Sequence, residues 1–227
     1  MLKLRATWNI PGAATPTEPD AEFSGVHVPL VRTLPGIRRH TVLTFLRDTA
    51  GGHPAWWRGE ELYFDDVAEL DAAAATGTWT QLWQGRFTSL VAGLRRHVFD
   101  IVEEFEPAGR GAPAPGSTPT ALSGIWQVPA RLTPADVEDV YLNVHVPGVR
   151  RLPRLRRHTV MRAVDWPAGV HAQAWRSAEI RFDSAEDFEA TFGSEDYAPI
   201  RRDGFTASVA GPDVDIYRID EEWTPAT

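Results

Sequence analysis

The chain has 227 residues, of which 43% are hydrophobic and 10% aromatic, enough apolar material to build a packed core and to exclude global disorder. A formal net charge of −8 argues against nucleic acid or an anionic membrane as the main partner, because both would repel this surface. The absence of cysteine excludes disulfides, thiolate catalysis and cysteine-ligated metal sites.

The N-terminal segment lacks the long apolar region of a signal peptide, and no apolar run approaches the ~20 residues that a membrane-spanning helix needs. These features predict a cytoplasmic protein. Lys3 is the single lysine beside twenty-two arginines (23 − 1), a bias typical of a GC-rich bacterial genome.

In the first half of the chain, a helix is predicted near residues 66–75 and a final strand near 97–105. A segment rich in Gly, Pro and Ser follows and is predicted to be a linker over 108–120. Stronger patterns in the second half predict, in chain order, a strand at 122–129, a helix from Thr133 that stops before Pro153, strands at 155–164 and 170–182, a helix from Asp183 and a strand at 214–223.

The sequence contains an internal repeat. At an offset of 118 positions (145 − 27), residues 27–42 fall on residues 145–160, and twelve of these sixteen pairs are identical. The register holds without a gap, so we predict two repeats, 1–107 and 121–227, joined by the linker. Two long repeats are typical of a fused pseudo-dimer within one chain rather than of a solenoid, and further homo-oligomerisation stays open.

The order of elements in each repeat is βαββαβ, which predicts an α+β fold of two ferredoxin-like repeats. One face of each four-stranded sheet would be covered by helices and the other would be a bare apolar surface. We therefore expect the two sheets to pack face to face as an intramolecular dimeric α+β barrel.

Three segments of the second half, residues 133–160, 174–192 and 201–205, resemble the EthD family of the dimeric α+β barrel superfamily. The resemblance implies a helix that ends in His-x-Pro, an arginine-rich strand and then Glu and Phe-Asp. It also implies cofactor-free cyclases, isomerases, decarboxylases or monooxygenases, a haem-binding branch, or proteins of unknown role beside cytochromes P450. The first half departs from the pattern, with Phe23 in place of Tyr141 and Gly85 in place of Asp203.

Six of the seven histidines form repeat pairs: His27 with His145, His40 with His158, and His53 with His171. His27 and His145 are expected at a helix C-terminus, where the helix dipole would raise the imidazole pKa. They could be acid/base groups or caps of the helix. His40 and His158 could face the same cavity or fill the core, and the third pair is expected in a solvated turn.

Arg39 and Arg157 are expected across from or near Glu61 and Glu179, as cross-strand ion pairs. Alternatively, Glu179 is a carboxylate base whose pKa is raised by burial. Trp57 and Trp175 could supply indole walls for a flat aromatic ligand, or they could pack in the core.

The sequence thus predicts a cofactor-independent enzyme that acts on a small hydrophobic, aromatic or polyketide-like metabolite by histidine acid/base catalysis. The main pocket is expected in the second half. No cofactor, metal, nucleic-acid or membrane site is predicted. The predicted site residues are His145, His158, Glu179 and Asp203 for catalysis and Tyr141, Trp175, Arg157, His27, His40, Trp57 and Glu61 for substrate binding.

Two other functions stay open at this point. The chain could be a non-catalytic module that binds a small molecule for a neighbouring oxygenase, or a barrel protein that binds haem through a histidine. A Soret band would identify the haem protein.

Overall fold

The fold is described from a computed structural model, which covers residues 1–12, 15–47, 51–114, 116–166 and 174–226. Its eight β-strands are β1 (Leu2–Asn9), β2 (Arg39–Arg47), β3 (Arg58–Phe64), β4 (Ala92–Phe105), β5 (Thr120–Gln127), β6 (Leu155–Ala163), β7 (Arg176–Phe182) and β8 (Ala210–Trp223). Residues 106–114 and 116–119, between β4 and β5, form neither helix nor strand.

The helices are short and lie in the same places of the two halves. In the first half they are α1 (Thr17–Glu22), α2 (Val28–Val31), α3 (Val67–Ala74), α4 (Gly77–Gln84) and α5 (Arg86–Leu90). In the second half they are α6 (Pro134–Val140), α7 (Val146–Val149), α8 (Ala185–Phe192), α9 (Ala198–Arg201) and α10 (Phe205–Ser208), with a 3-10 turn at Glu195–Tyr197. None of the helices in these described ranges is long and apolar enough to cross a membrane.

Side-chain caps start the helices where the sequence predicts them. Thr133 and Asp136 form a capping box at the start of α6, with Pro134 at the first helical position. Asp66 caps α3 and Ser184 caps α8, each by accepting a hydrogen bond from a backbone N–H in the first turn.

All eight strands form one closed antiparallel barrel in the order β1-β3-β2-β8-β5-β7-β6-β4. The predicted fold class, two ferredoxin-like repeats whose sheets pack face to face as a dimeric α+β barrel, is therefore wrong. The strands of fourteen residues, β4 and β8, extend beyond their own half and pair with β6 and β2 of the other half. The two halves thus join edge to edge, and closure leaves no unpaired sheet edge.

The barrel interior also differs from the apolar seam that we expected, because it holds a buried ionic network. The Lys3 ammonium lies 2.8 Å from Glu61 and 3.0 Å from Glu179. Tyr63 donates a hydrogen bond to Glu61 at 2.7 Å, and Tyr217 donates one to Glu179 at 2.6 Å. Because these side chains satisfy one another, the interior is a filled polar core.

Candidate functional site

Each half places two histidines between its helices and the outer face of the barrel. The first-half histidine pair is His27, on the helical segment after β1, and His40, on β2. The second-half histidine pair is His145, on the corresponding segment after β5, and His158, on β6. The two pairs occupy matching positions 118 residues apart, but their surroundings differ.

Neither His27 nor His145 lies at a helix C-terminus, so that prediction is wrong. Each ends a π-helical turn, Phe23–His27 or Tyr141–His145, and the helix then continues through α2 or α7. The C-terminus of each helical segment thus lies about one turn beyond the histidine. Burial instead lowers the pKa of His145, and its hydrogen bond to Asp203 offsets only part of this effect.

In the first half, a carboxylate fills the space between the two histidines. Glu60, on β3, lies 2.8 Å from His27 Nε2 through Oε1 and 3.0 Å from His40 Nε2 through Oε2. All three side chains are buried. Burial alone would raise the pKa of Glu60, but His27 and His40 outweigh it and hold the pKa at about 2. Trp83 and Phe87 pack against the His27 ring and close the site.

In the second half, the position that matches Glu60 is occupied by Ala178, and a cavity of about 530 Å³ lies beside it. The cavity lies between the strands and helices of this half, where the main pocket was expected. Its lining is mostly apolar: Ala55, Leu122, Gly124, Trp126, His145, Val149, Ala178, Ile180, Tyr197, Ile200, Phe205, Thr206, Val209, Pro212, Asp213 and Val214.

Asp203 holds the His145 ring at the wall of this cavity. Its Oδ2 lies 2.7 Å from His145 Nδ1, and its Oδ1 accepts a hydrogen bond from the Phe205 backbone N–H at 2.9 Å. Gly204 between them has φ = 85°, a conformation that glycine adopts without strain. With Nδ1 donating to the carboxylate, Nε2 is left as an acceptor, and it has no partner among the described residues.

His158 and Tyr141 are buried polar groups without partners. Both ring nitrogens of His158 and the hydroxyl of Tyr141 lack a hydrogen bond to any described residue. Burial, with smaller contributions from Arg150 and His145, lowers the pKa of His158 to about 3, so its ring is neutral at pH 7. Burial raises the pKa of Tyr141, which stays a phenol. An unsatisfied buried group costs about 1–3 kcal/mol, which marks this place as unusual.

The predicted carboxylates and arginines lie elsewhere, in and around the barrel interior. Glu61 and Glu179 pair with Lys3, whereas Arg39 and Arg157 lie within 4 Å of Glu104. The pKa of Glu179 is lowered, not raised as a buried base would require, because Lys3 and its other partners outweigh the effect of burial. The structure therefore keeps Glu179, Glu61 and Arg157 apart from the cavity.

The two predicted indole walls also lie outside the cavity lining. Trp57 packs against the core of the first half and Trp175 against the cluster around Trp126. His53 is exposed, and His171 lies outside the described residues.

Sequence reasoning missed the residue that opens the cavity. The signal was present in the repeat, because Glu60 aligns with Ala178, but a small apolar residue attracts no attention as a site residue. Ile180, Ile200 and Phe205 also line the cavity and were likewise not predicted as site residues.

No family model and no curated protein sequence matches the chain. Solved structures do share its fold. An anthrone oxidase-like protein matches with a TM-score of 0.68 at 15% identity, over 98% of this chain and 92% of that one. A Fusobacterium nucleatum protein provisionally assigned as a monooxygenase matches with a TM-score of 0.62 at 6% identity, over 99% of this chain and 94% of that one. A mutant chlorite dismutase from Candidatus Nitrospira defluvii matches with a TM-score of 0.59 at 10% identity, over 97% of this chain and 91% of that one.

These similarities establish the fold alone. Membership of the dimeric α+β barrel superfamily stays a prediction from the sequence. The narrower EthD assignment and the tandem duplication stay predictions.

Proposed function

We propose that the chain is a cofactor-independent enzyme in which His145 transfers protons to and from a hydrophobic aromatic substrate. The observation that supports this best is the His145–Asp203 pair: Asp203 holds Nδ1, Nε2 has no described partner, and His145 lines an apolar cavity. Lowering of the His145 pKa favours the neutral imidazole near pH 7, which is the form that a general base needs.

The roles of the two residues follow from their contacts. Asp203 fixes the tautomer and orientation of the ring, and it stabilises the imidazolium that forms when Nε2 takes a proton. The apolar lining contacts the ring system of the substrate, and His145, whose side chain is partly exposed, can exchange the abstracted proton with solvent before a proton is returned to carbon. Enolisation of an aromatic ketone is the simplest reaction that needs only these parts, and it begins cyclisations, dehydrations and isomerisations.

The anthrone oxidase-like neighbour supports an aromatic ketone as the substrate class. An anthrone has an acidic methylene group in a ring system that also contains a carbonyl, so its first chemical step is the same loss of a proton from carbon.

Haem is a poorer fit to the cavity. Among the described lining residues there is no arginine or lysine to pair with the propionates, and Asp213 adds a negative charge. A carrier without catalysis is the stronger alternative, and it predicts ligand binding that does not depend on a base.

The proposal is tested by deuterium exchange at the enolisable positions of 2-tetralone in D₂O, followed by NMR without added cofactor. We expect protein-dependent exchange that falls by ~10²–10⁴ in His145→Ala, the usual range for general acid–base catalysis. His145→Gln should be equally slow, because glutamine can donate a hydrogen bond but cannot transfer protons. The exposed His53→Ala variant is the matched control. Equal exchange in wild type and His145→Ala would contradict the proposal, and binding without exchange would indicate a carrier.

A further inference from the structure

We propose that the second half binds its ligand through an anionic oxygen, which lies between His145 and His158 in the place that the Glu60 carboxylate occupies in the first half. The inference concerns the cavity of the proposed enzyme, but it holds for a carrier as well. It names the chemical class of the ligand: a flat apolar molecule that has a carboxylate or a phenolate oxygen.

The first argument is the matching backbone. Glu60 lies across from Ala6 on β1 and Val42 on β2, and Ala178 lies across from Gly124 on β5 and Val160 on β6. Each of these positions in the second half is 118 residues after its counterpart. The two histidines of each half therefore have the same frame, from which the second half lacks only the carboxylate.

The second argument is the set of unpartnered nitrogens. In the first half, His27 Nε2 and His40 Nε2 each have an oxygen of Glu60 within 3.0 Å. In the second half, both nitrogens of the buried His158 have no described partner, and His145, whose Nε2 has no described partner either, lines the cavity together with Ala178. An anionic oxygen supplied by a ligand would satisfy these groups, and the apolar lining would contact the rest of the molecule.

The charges around the site are of both signs. Arg150, at the end of α7, is close enough to His158 and Tyr141 to act on the ionisation of both, but it also lies 2.6 Å from Glu103. Asp203 faces His145 and favours its protonated form once an anion has bound. Asp213 is the one acidic residue among the described residues of the cavity lining, so the ring system rather than the anion should lie towards it.

A comparison of three ligands by isothermal titration calorimetry separates the sources of the oxygen. We use 2-naphthoate, 2-naphthol and the neutral 2-naphthamide at pH 6, 7 and 8, in buffers of different ionisation enthalpy. Because burial lowers the pKa of both His145 and His158, the neutral forms are favoured in the free protein at pH 7, and we expect 2-naphthoate to bind with uptake of about one proton. It should bind about 10-fold more tightly than the amide at pH 6 and lose this advantage by pH 8.

The outcome for the phenol identifies the ligand class. Binding of 2-naphthoate but not 2-naphthol assigns a carboxylate. Binding of 2-naphthol but not 2-naphthoate assigns a phenolate if the ultraviolet spectrum of the bound ligand is that of the ionised form, its proton having passed to a histidine. Equal affinity for 2-naphthoate and 2-naphthamide at every pH, without proton uptake, would overturn the proposal.

The variant Ala178→Glu provides a test within the protein, because it rebuilds the first-half arrangement. We expect it to abolish binding of 2-naphthoate and to raise the pKa values of His145 and His158, measured by histidine NMR. Ala178→Leu is the control: it should block the ligand and leave both histidines with low pKa values. A folded Ala178→Glu protein with unchanged histidine titration would overturn the proposal.

The anion site and the proposed catalytic function can be tested independently. Binding of 2-naphthoate in a protein that does not exchange 2-tetralone protons would leave the anion site intact and remove the proposed reaction.

Discussion

Comparison of the two histidine pairs shows what distinguishes a structural polar cluster from a candidate site. In the first half, His27 and His40 pair with Glu60, and Trp83 and Phe87 cover them, so that every nitrogen facing the carboxylate is satisfied. In the second half, the same frame lacks the carboxylate and is open to a cavity. Glu60 against Ala178, together with Trp83 against Arg201, thus distinguishes a closed ionic cluster from a place where a ligand can bind.

The largest difference between the halves should appear in the stability of His27→Ala against His145→Ala. Removing His27 leaves a cavity and takes one partner from the buried Glu60, so we expect a loss of ~3–5 kcal/mol. His145 is partly exposed and makes one hydrogen bond, so its removal should cost only about 1 kcal/mol. Urea unfolding measures both values. Equal losses would mean that His145 is a core residue like His27.

Replacement of the strand histidines, His40 and His158, by leucine should change the free energy of unfolding in opposite directions. His40→Leu removes a hydrogen-bond partner from Glu60 and should destabilise by ~1–3 kcal/mol. His158→Leu removes two unsatisfied nitrogens and should be neutral or stabilising by about 1 kcal/mol. The difference between the two unfolding midpoints is the measurement, and a strongly destabilised His158→Leu protein would show that His158 has a structural partner.

The two halves should also respond to acid in different pH ranges. The pKa of His158 is lowered from 6.5 in the unfolded state to about 3 in the folded state. Between these values the unfolded state binds a proton and the folded state does not, so the free energy of unfolding falls as the pH falls below 6.5. The pKa of Glu60 is lowered from 4.5 to about 2, so its contribution is present above pH 4.5 and is lost only below it.

Unfolding measured at several pH values tests this order. Between pH 6.5 and 4.5, His158 should contribute at most ~1.4 kcal/mol per pH unit to the slope of the free energy of unfolding against pH. This contribution should disappear in His158→Leu. An unchanged slope in that variant would contradict the low pKa of His158.

The smallest expected effect on stability is that of Asp203→Asn, within about 1 kcal/mol, because asparagine has the same size and keeps an oxygen that can accept the hydrogen bond from the Phe205 backbone N–H. Its effect on His145 should be clear, since loss of the carboxylate removes the interaction that opposes burial and lowers the pKa further. Histidine NMR measures this shift. A His145 pKa that is unchanged in Asp203→Asn would mean that the carboxylate does not orient the ring.

The sequence predicted the order of the elements well, since caps such as Thr133 are local signals, but it placed His27 and His145 at a helix C-terminus, where they do not lie. It did not predict barrel closure, because the pairing of β4 with β6 and of β2 with β8 depends on contacts between distant parts of the chain. It misassigned Glu179 because Lys3, its partner, lies far away in the sequence.

The cavity was beyond prediction for a related reason. Local patterns show which side chains face inwards, but not whether the space between them is filled. That depends on the sum of volumes at Ala178 and the residues around it, compared with Glu60 and the tryptophan-lined core of the first half.

The most direct test of the central claim is histidine-selective ¹⁵N NMR during titration with 2-naphthoate at pH 7. We predict that the signals of His145 and His158 move as a proton is taken up, while those of His27 and His40, already paired with Glu60, stay in place. Movement of the first-half pair, or no movement of the second-half pair at saturating ligand, would contradict the account.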